Sequence, residues 1–345
     1  MNIAIVTINN PSLQSAKKLQ PILDAHNVTI FNKSIESEGF AIYNKLDDIL
    51  PIAWREFDAI ICILATGAVV RKIAPFLQDK ATDPAVIVMT LDLKKVIPLL
   101  SGHLGGANEL SYEISQSIEG CVNFVTTASD QIKLLAFDLF AKKMGYKISN
   151  LKALAEVSNR IINKEQVQVV SYPSIFKELQ NFAGYKEESF CLIAIDNLEA
   201  LDSSIPTVYI TPQKLNNSAL QLHPQNIALG LGMNRATAGA EIAFAVKRFC
   251  FEHSIDEEQI NLLASFDAKA DEEGLLEYAN SSNKKIEFFD KESINSLEEN
   301  FSPSEATRFF NIKGVAEPAS LLASQKKTLF LSKRIYGNVT IAASF

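Results

Sequence analysis

Short β-rich apolar runs alternate with segments of helical spacing along the first third of the chain, and that alternation leaves few folds open. Residues 3–8 read IAIVTI, and between Ser12 and Ala25 the apolar Leu13, Ala16, Leu19 and Leu23 recur at near-helical spacing. Residues 28–31, 59–64, 85–89 and 122–125 read as further buried strands, each beside a plausible helix. The pattern predicts an α/β fold whose first domain is a Rossmann-like, mostly parallel sheet of four or five strands.

From about residue 130 the pattern restarts, with a helix over 133–144, a polar middle around 159–165, and strands at 167–170, 191–195 and 208–211. The polar, Asn-rich stretch 212–225, with Pro212 and Pro224, reads as a linker. A third α/β segment opens at 227–231 and closes with a strand at 339–342. Three α/β domains are therefore expected, over 1–128, 129–222 and 223–345. Composition supports packed domains: 47% of the 345 residues are apolar and 21% charged, with only 14 Gly and 12 Pro.

The same composition closes off several functions. Lys plus Arg number 33 against 40 Asp plus Glu, a formal charge of -7 that argues against a nucleic-acid partner. The longest purely apolar stretch, 59–65, falls far short of the ~20 residues that span a bilayer, and no basic region precedes the apolar start MNIAIVTINN. No membrane partner and a cytoplasmic location are expected. Cys62, Cys121, Cys191 and Cys250 are spread singly, as are His26, His103, His223 and His253, so no protein-built metal site is expected and any metal arrives on a ligand.

The densest chemical signal runs from Val96 to Glu109, VIPLLSGHLGGANE. An apolar strand leads into a small-residue turn carrying Ser101 and His103, and a helix follows whose Ala107, Leu110, Ile114 and Ile118 form the buried stripe. In α/β sheets ligands sit outside the carboxyl ends of strands, and free N–H groups at a helix start favour anions. Gly102, Gly105 and Gly106 would let a ligand approach the backbone closely. The plain structural alternative is a tight turn with a His that caps it.

Two further turns share this form. In ATGAVVRKIAP (65–75), Thr66 can cap the helix, and Arg71 one turn in can offer a guanidinium to a carboxylate. In TTASD (126–130), Thr126, Thr127 and Asp130 can form hydrogen bonds, the alternative again being a helix cap. Later, GLGMNR (230–235) begins like a dinucleotide fingerprint but has Arg235 in place of the third glycine. Glu317 sits in an apolar setting in VAEPA (315–319), where a helix cap is the bland account. G-x-S-x-G, a Walker A loop and H-E-x-x-H are absent.

In order along the chain, ATGAVVRKIAP, DPAVIVM, IPLLSGHLGGANE, TTASD, GLGMNRAT, DAKADEEGL, GVAEPAS and LSKRIYGNVTIAA resemble the cobalt-precorrin-5A hydrolases of the anaerobic cobalamin pathway. SGHLGGAN is the most specific of these. The C-terminal third also looks like a small stand-alone protein of the aerobic pathway. The chain departs from the family in a short connection from Met89 to Ile97, and in Met233, Ala236 and Ser129, where Cys, Gly and Thr are common. The middle domain carries almost no family motif.

The resemblance implies opening of the δ-lactone of cobalt-precorrin-5A, a cobalt-bearing tetrapyrrole, and release of a two-carbon unit as acetaldehyde to give cobalt-precorrin-5B. It implies no cofactor, because the cobalt arrives on the substrate. It leaves room for transient contact with neighbouring pathway enzymes, and nothing in the chain fixes an oligomeric state. From residue chemistry, His103 is the expected base for water, and N–H groups near Gly105 and Gly106 stabilise the oxyanion. Ser101 is the alternative, covalent nucleophile. Glu109 or Asp130 would take the proton of the opened hydroxyl. Thr66, Gly67, Arg71, Gly102, Asn108, Thr126, Thr127, Gly230, Gly232 and Glu317 complete the expected substrate contacts. Competing readings are a corrinoid carrier or scaffold and a tetrapyrrole methyltransferase, although no glycine-rich loop with a following acidic residue offers itself to that enzyme's cofactor.

Overall fold

The computed structural model describes residues 1–33, 41–79, 82–126 and 134–345, with the side chains of 305–306 left aside. The chain forms two compact units, Met1–Lys133 and Leu134–Phe345. Its strands build three α/β sheets, each mostly or partly parallel.

The first unit holds seven strands in the order β3-β2-β1-β4-β5-β6-β7: β1 (Asn2–Thr7), β2 (Asn27–Lys33), β3 (Ala41–Tyr43), β4 (Ala59–Cys62), β5 (Ala85–Met89), β6 (Lys95–Leu100) and β7 (Val122–Asn123). Strands β3, β2, β1, β4 and β5 are parallel. Residues Ile3 to Val6 and the whole of β4 and β5 are buried, as expected of parallel strands covered on both faces. Helices α1 (Asn10–Leu19) and α4 (Ala107–Ser117) share one core with Ile5, Ile61 and Ile87. On the other face α2 (Leu46–Glu56) and α3 (Thr66–Ile73) pack with Val6, Ile60 and Val88. The start of α1 is closed by a capping box, in which Asn9 accepts from the Ser12 N–H at 2.9 Å and Ser12 Oγ accepts from the Asn9 N–H at 3.1 Å.

Strand β6 runs against the others. Val86 pairs with Leu100 and Met89 with Val96 in antiparallel register, and β7 then runs parallel to β6. The expected parallel set therefore stops at β5.

In the second unit, β8 (Lys147–Ser149), β9 (Val167–Ser171), β10 (Phe190–Ala194), β11 (Thr207–Ile210) and β12 (Leu220–His223) form a sheet ordered β10-β9-β11-β12-β8, parallel except at β8. Helices α5 (Phe137–Met144), α6 (Lys152–Ile162) and α7 (Pro173–Gln180) supply its core. Strand β12 lies inside the stretch expected to be a linker. It is fully buried, and its polar side chains are satisfied within the domain: Gln221 Nε2 donates to the Leu215 carbonyl at 2.8 Å, and His223 Nδ1 lies 3.0 Å from the Thr211 carbonyl.

The last sheet is ordered β15-β14-β13-β17-β16, from β13 (Ile227–Met233), β14 (Ile260–Phe266), β15 (Lys285–Phe289), β16 (Leu329–Tyr336) and β17 (Val339–Ser344). It is accompanied by α8 (Gly239–Glu252), α9 (Glu273–Ser281), α10 (Lys291–Ser296), α11 (Glu305–Phe310) and α12 (Ala316–Ala323). The two sheets of this unit are tied together. Gln259 Nε2 donates to the carbonyls of Pro212 at 3.1 Å and Pro224 at 2.9 Å, and Phe345 packs edge-on against Tyr172 in the middle core.

Candidate functional site

The reversal at β6 decides where the His103 turn lies. Because Leu100 pairs with Val86, near the start of β5, residues 101–106 emerge at the edge where the parallel strands begin, not at the carboxyl edge expected from the sequence. Ser101 Oγ donates to the Asp83 carbonyl at 2.9 Å, just ahead of β5. The loop is closed from within: Ala107 N–H donates to the Ser101 carbonyl at 3.2 Å, Asn108 N–H to the Gly102 carbonyl at 3.0 Å, and Gly106 N–H to the His103 carbonyl at 3.2 Å.

Packing inside this loop accounts for its glycines. A Cβ on Gly105 would stand 2.4 Å from Ser101 Cβ, and one on Gly102 would stand 2.8 Å from Asn108 Oδ1. Gly106 has φ 87°, the left-handed conformation that glycine adopts readily, and it caps α4. The Gly106 N–H, expected to face an oxyanion, is thus already bonded to His103. His103 and Asn108 are half-buried, and Glu109 is exposed in the first turn of α4. Thr126 is exposed just beyond β7, whose carboxyl end points to the same edge. Thr127 and Asp130 lie outside the described residues.

Thr66, Gly67 and Arg71 belong to the opposite edge. They follow β4 at its carboxyl end, where α3 begins without a side-chain cap, and the exposed Arg71 donates from Nη1 to the Gly67 carbonyl at 2.9 Å. Beside them is a cleft of about 350 Å³, lined by Asn9, Ser12, Leu64, Thr66, Met89 and Ile97 among others. It sits between the ends of β1 and β4, where the strand order reverses, the usual ligand crevice of a doubly wound sheet. Ala85, beside the His103 loop, pairs with Ala59 at the start of β4, whereas Thr66 lies beyond Cys62 at the other end of that strand. The sequence-predicted residues of this unit thus form two groups, not one.

The C-terminal candidates turn inward. A Cβ on Gly230 would fall 1.7 Å from the Ala316 carbonyl oxygen, and one on Gly232 would fall 2.5 Å from Thr340 Oγ1, so both glycines admit their own neighbours rather than a ligand. Glu317 is buried and accepts from the Ser302 N–H at 2.7 Å, Ser302 Oγ at 2.8 Å and the Lys333 N–H at 2.9 Å. Its carboxylate is committed to structure. Arg235 is likewise engaged, with Asp271 at 2.5 Å, Glu272 at 3.2 Å and the Ala268 carbonyl at 2.9 Å. Ala236, where the family commonly has Gly, has φ 59°.

Among the described residues no three His, Cys, Asp or Glu side chains converge as metal ligands, and none of the described helices is long and apolar enough to cross a membrane. Burial pushes the Cys62 thiol up to about 12, so it is no nucleophile at neutral pH. Sequence reading passed over two groups: Asp83, which anchors the His103 loop, and Glu272, a buried carboxylate that binds the Ala236 N–H at 3.0 Å and Lys269 at 3.0 Å. For Asp83 the signal was its place before Pro84 at the head of a buried run.

Along its length the chain matches three successive models of one family, cobalamin synthesis G. The N-terminal model of that family matches residues 48–130, its central-region model 135–224 and its C-terminal model 227–344. The chain is 30% identical to the cobalt-precorrin-5A hydrolase of Priestia megaterium, over 99% of this chain and 94% of that one. It is also 30% identical to a probable cobalt-precorrin-5A hydrolase of Methanocaldococcus jannaschii, over 99% and 98%. A solved structure of a putative cobalamin biosynthesis protein G homolog from Sulfolobus solfataricus aligns over 99% of this chain and 96% of that one, at 19% identity and a TM-score of 0.40. The chain belongs to the cobalt-precorrin-5A hydrolase family.

Proposed function

We propose that this protein hydrolyses cobalt-precorrin-5A in cobalamin biosynthesis, and that the reaction takes place at the loop between β6 and α4. Full-length membership of the hydrolase family carries the activity. Within the first unit, this loop gathers a half-buried His, an Asn, a Glu and the start of an eleven-residue helix at one edge. Water adds to the lactone carbonyl carbon while His103 takes its proton, and the ring C–O bond breaks to leave a carboxylate and a hydroxyl. Loss of the hydroxyl proton, to Glu109 or Asp130, releases acetaldehyde. The electron pair of the broken C–C bond returns to the macrocycle, which takes up a proton.

The N–H of Gly105 and the dipole of α4 face the developing oxyanion, while Gly106 holds the loop closed. Asn108 and Thr126 are the polar contacts for the macrocycle on this edge. Arg71, Thr66 and Gly67, across the packed sheet, serve the carboxyl-edge cleft and not the reacting lactone. The cobalt enters and leaves with the substrate, no further cofactor is needed, and the enzyme works in the cytoplasm, where transient hand-over from neighbouring pathway enzymes is open to it.

The test is anaerobic incubation with cobalt-precorrin-5A, mass spectrometry and acetaldehyde trapping. His103→Ala is expected to slow acetaldehyde release by about 10² to 10⁴. Release at the wild-type rate would remove His103 from the role of base. A shifted absorption spectrum with no acetaldehyde from the wild type would make the protein a carrier.

A further inference from the structure

We infer that Ser101 is a positioning residue and not a nucleophile, and that with Asp83 it sets the loop that carries His103. This rests on the reading of His103 as the base. A nucleophilic serine presents its oxygen to the substrate and its proton to a base. Ser101 does neither: it is buried, and its hydroxyl proton goes to the Asp83 backbone carbonyl at 2.9 Å.

Ser101 is instead the point where three parts of the loop meet. Its hydroxyl reaches Asp83, its carbonyl accepts from the N–H of Ala107, the first residue of α4, at 3.2 Å, and its Cβ faces Gly105 so closely that no side chain fits there. His103 lies between these fixed points. Asp83 is fastened in turn: its N–H donates to the Asp79 carbonyl at 2.8 Å, and its carboxylate accepts from the Gln78 N–H at 3.2 and 3.1 Å. The two residues thereby join the turn after α3, the start of β5 and the His103 loop.

Backbone conformation sharpens the case. Ser101 has φ 56°, where a side chain is strained and glycine is not. Replacement by glycine relieves that strain and removes the hydroxyl, whereas replacement by alanine removes the hydroxyl and keeps the strain. Stability and catalysis should therefore separate. Stability should follow the backbone, with Ser101→Gly melting above Ser101→Ala. Catalysis should follow the hydroxyl, with both variants losing about 10- to 100-fold in kcat, the penalty of a base displaced by about 1 Å, while KM stays within about threefold. The acid limb of the kcat/KM profile should also move in both variants, because the setting of the base has changed.

The experiment measures kcat, KM, pH profile and Tm for the full-length wild type, Ser101→Ala and Ser101→Gly with cobalt-precorrin-5A under anaerobic conditions. Rapid-quench peptide mass spectrometry of the wild type looks for a substrate adduct on Ser101, a measurement that needs no variant to fold. No adduct, with kcat lost by about 10- to 100-fold in both variants, supports positioning. An adduct on Ser101, or a loss beyond about 10⁴-fold in both variants, makes Ser101 the nucleophile. Wild-type kcat in Ser101→Gly leaves the hydroxyl without a role. His103→Ala, run alongside, separates the two readings. If it is as active as wild type, the base assignment fails; if it is inactive while Ser101→Gly is fully active, only the positioning role fails.

Discussion

Replacing Gly230 by alanine tests whether the C-terminal glycines serve packing or a ligand. The new Cβ would lie 1.7 Å from the Ala316 carbonyl oxygen, 2.7 Å from the Ala316 carbonyl carbon and 2.8 Å from the Ser320 nitrogen, all backbone atoms of α12. No rotamer change relieves a clash with backbone. An ordinary C···O contact needs about 3.3 Å, so α12 would have to retreat by roughly 1.5 Å. Retreat loosens the burial of Ala316, Ala319 and Leu321, the 2.8 Å bond between Ser320 and Ser344 hydroxyls, and the three bonds to Glu317. Overpacking of this kind costs about 3 kcal/mol. The lower chain entropy of alanine in the unfolded state returns at most about 1 kcal/mol, for a net loss of about 2 to 3 kcal/mol. For a unit of this size each kcal/mol lowers Tm by about 2–4 °C, so a drop of about 4–12 °C is expected by calorimetry. A Gly230→Ala protein that melts with the wild type but binds substrate poorly would refute the packing argument and restore Gly230 as a ligand contact.

Two further outcomes follow from buried polar groups in the second unit. Glu317→Ala leaves the donors of Ser302 and Lys333 without their acceptor and should lower urea stability by about 3 kcal/mol or more, whereas Glu317→Gln, which keeps one oxygen, should cost clearly less; equal losses would contradict the hydrogen-bond account. Burial holds the His223 pKa below its ordinary 6.5, only partly offset by its bond to the Thr211 carbonyl. The folded protein keeps this His neutral while the unfolded chain protonates near 6.5, so its stabilisation is complete above that pH and is lost as pH falls through the depressed folded value. The urea midpoint should fall between pH 7.5 and pH 5, and less steeply in His223→Gln; parallel curves would exclude His223 as a source.

The parts of the fold that were legible are those where burial alone sets the pattern. The stretches IAIVT, AIIC and AVIVM are buried almost throughout, and continuous apolar runs bounded by polar residues announce such strands. Strand direction is not written in an apolar run, which is why Val96 to Leu100 read as a strand without revealing that it turns back. Connection length held the missing signal. Parallel neighbours need a crossover of about a dozen residues, and only Thr90 to Lys94 separate β5 from β6. Strand β12 was hidden for another reason: Gln221 and His223 look like linker residues until their partners, far along the chain or inside a turn, are known. Glu317 is similar, since Ser302 and Lys333 are 15 and 16 residues away in sequence.

The same hairpin explains why the carboxyl-edge rule for ligands points to one edge while His103 and the start of α4 lie at the other. The rule has a physical cause: in a parallel sheet each strand hands over to a helix at its carboxyl end, so helix N-termini and their loops collect there. Helices α1 and α3 obey it and flank the carboxyl-edge cleft. The β5–β6 reversal carries the start of α4 to the opposite edge, so that edge also gains a helix N-terminus and a loop. The cause of the rule thus operates at both edges. What separates them is chemistry: the lining of the carboxyl-edge cleft contains no titratable side chain, whereas the opposite edge carries His103 and Glu109. Hydrolysis of a lactone needs a proton acceptor beside the attacking water, and among the described residues of this unit His103 is the histidine that stands just ahead of a helix start, at the amino edge.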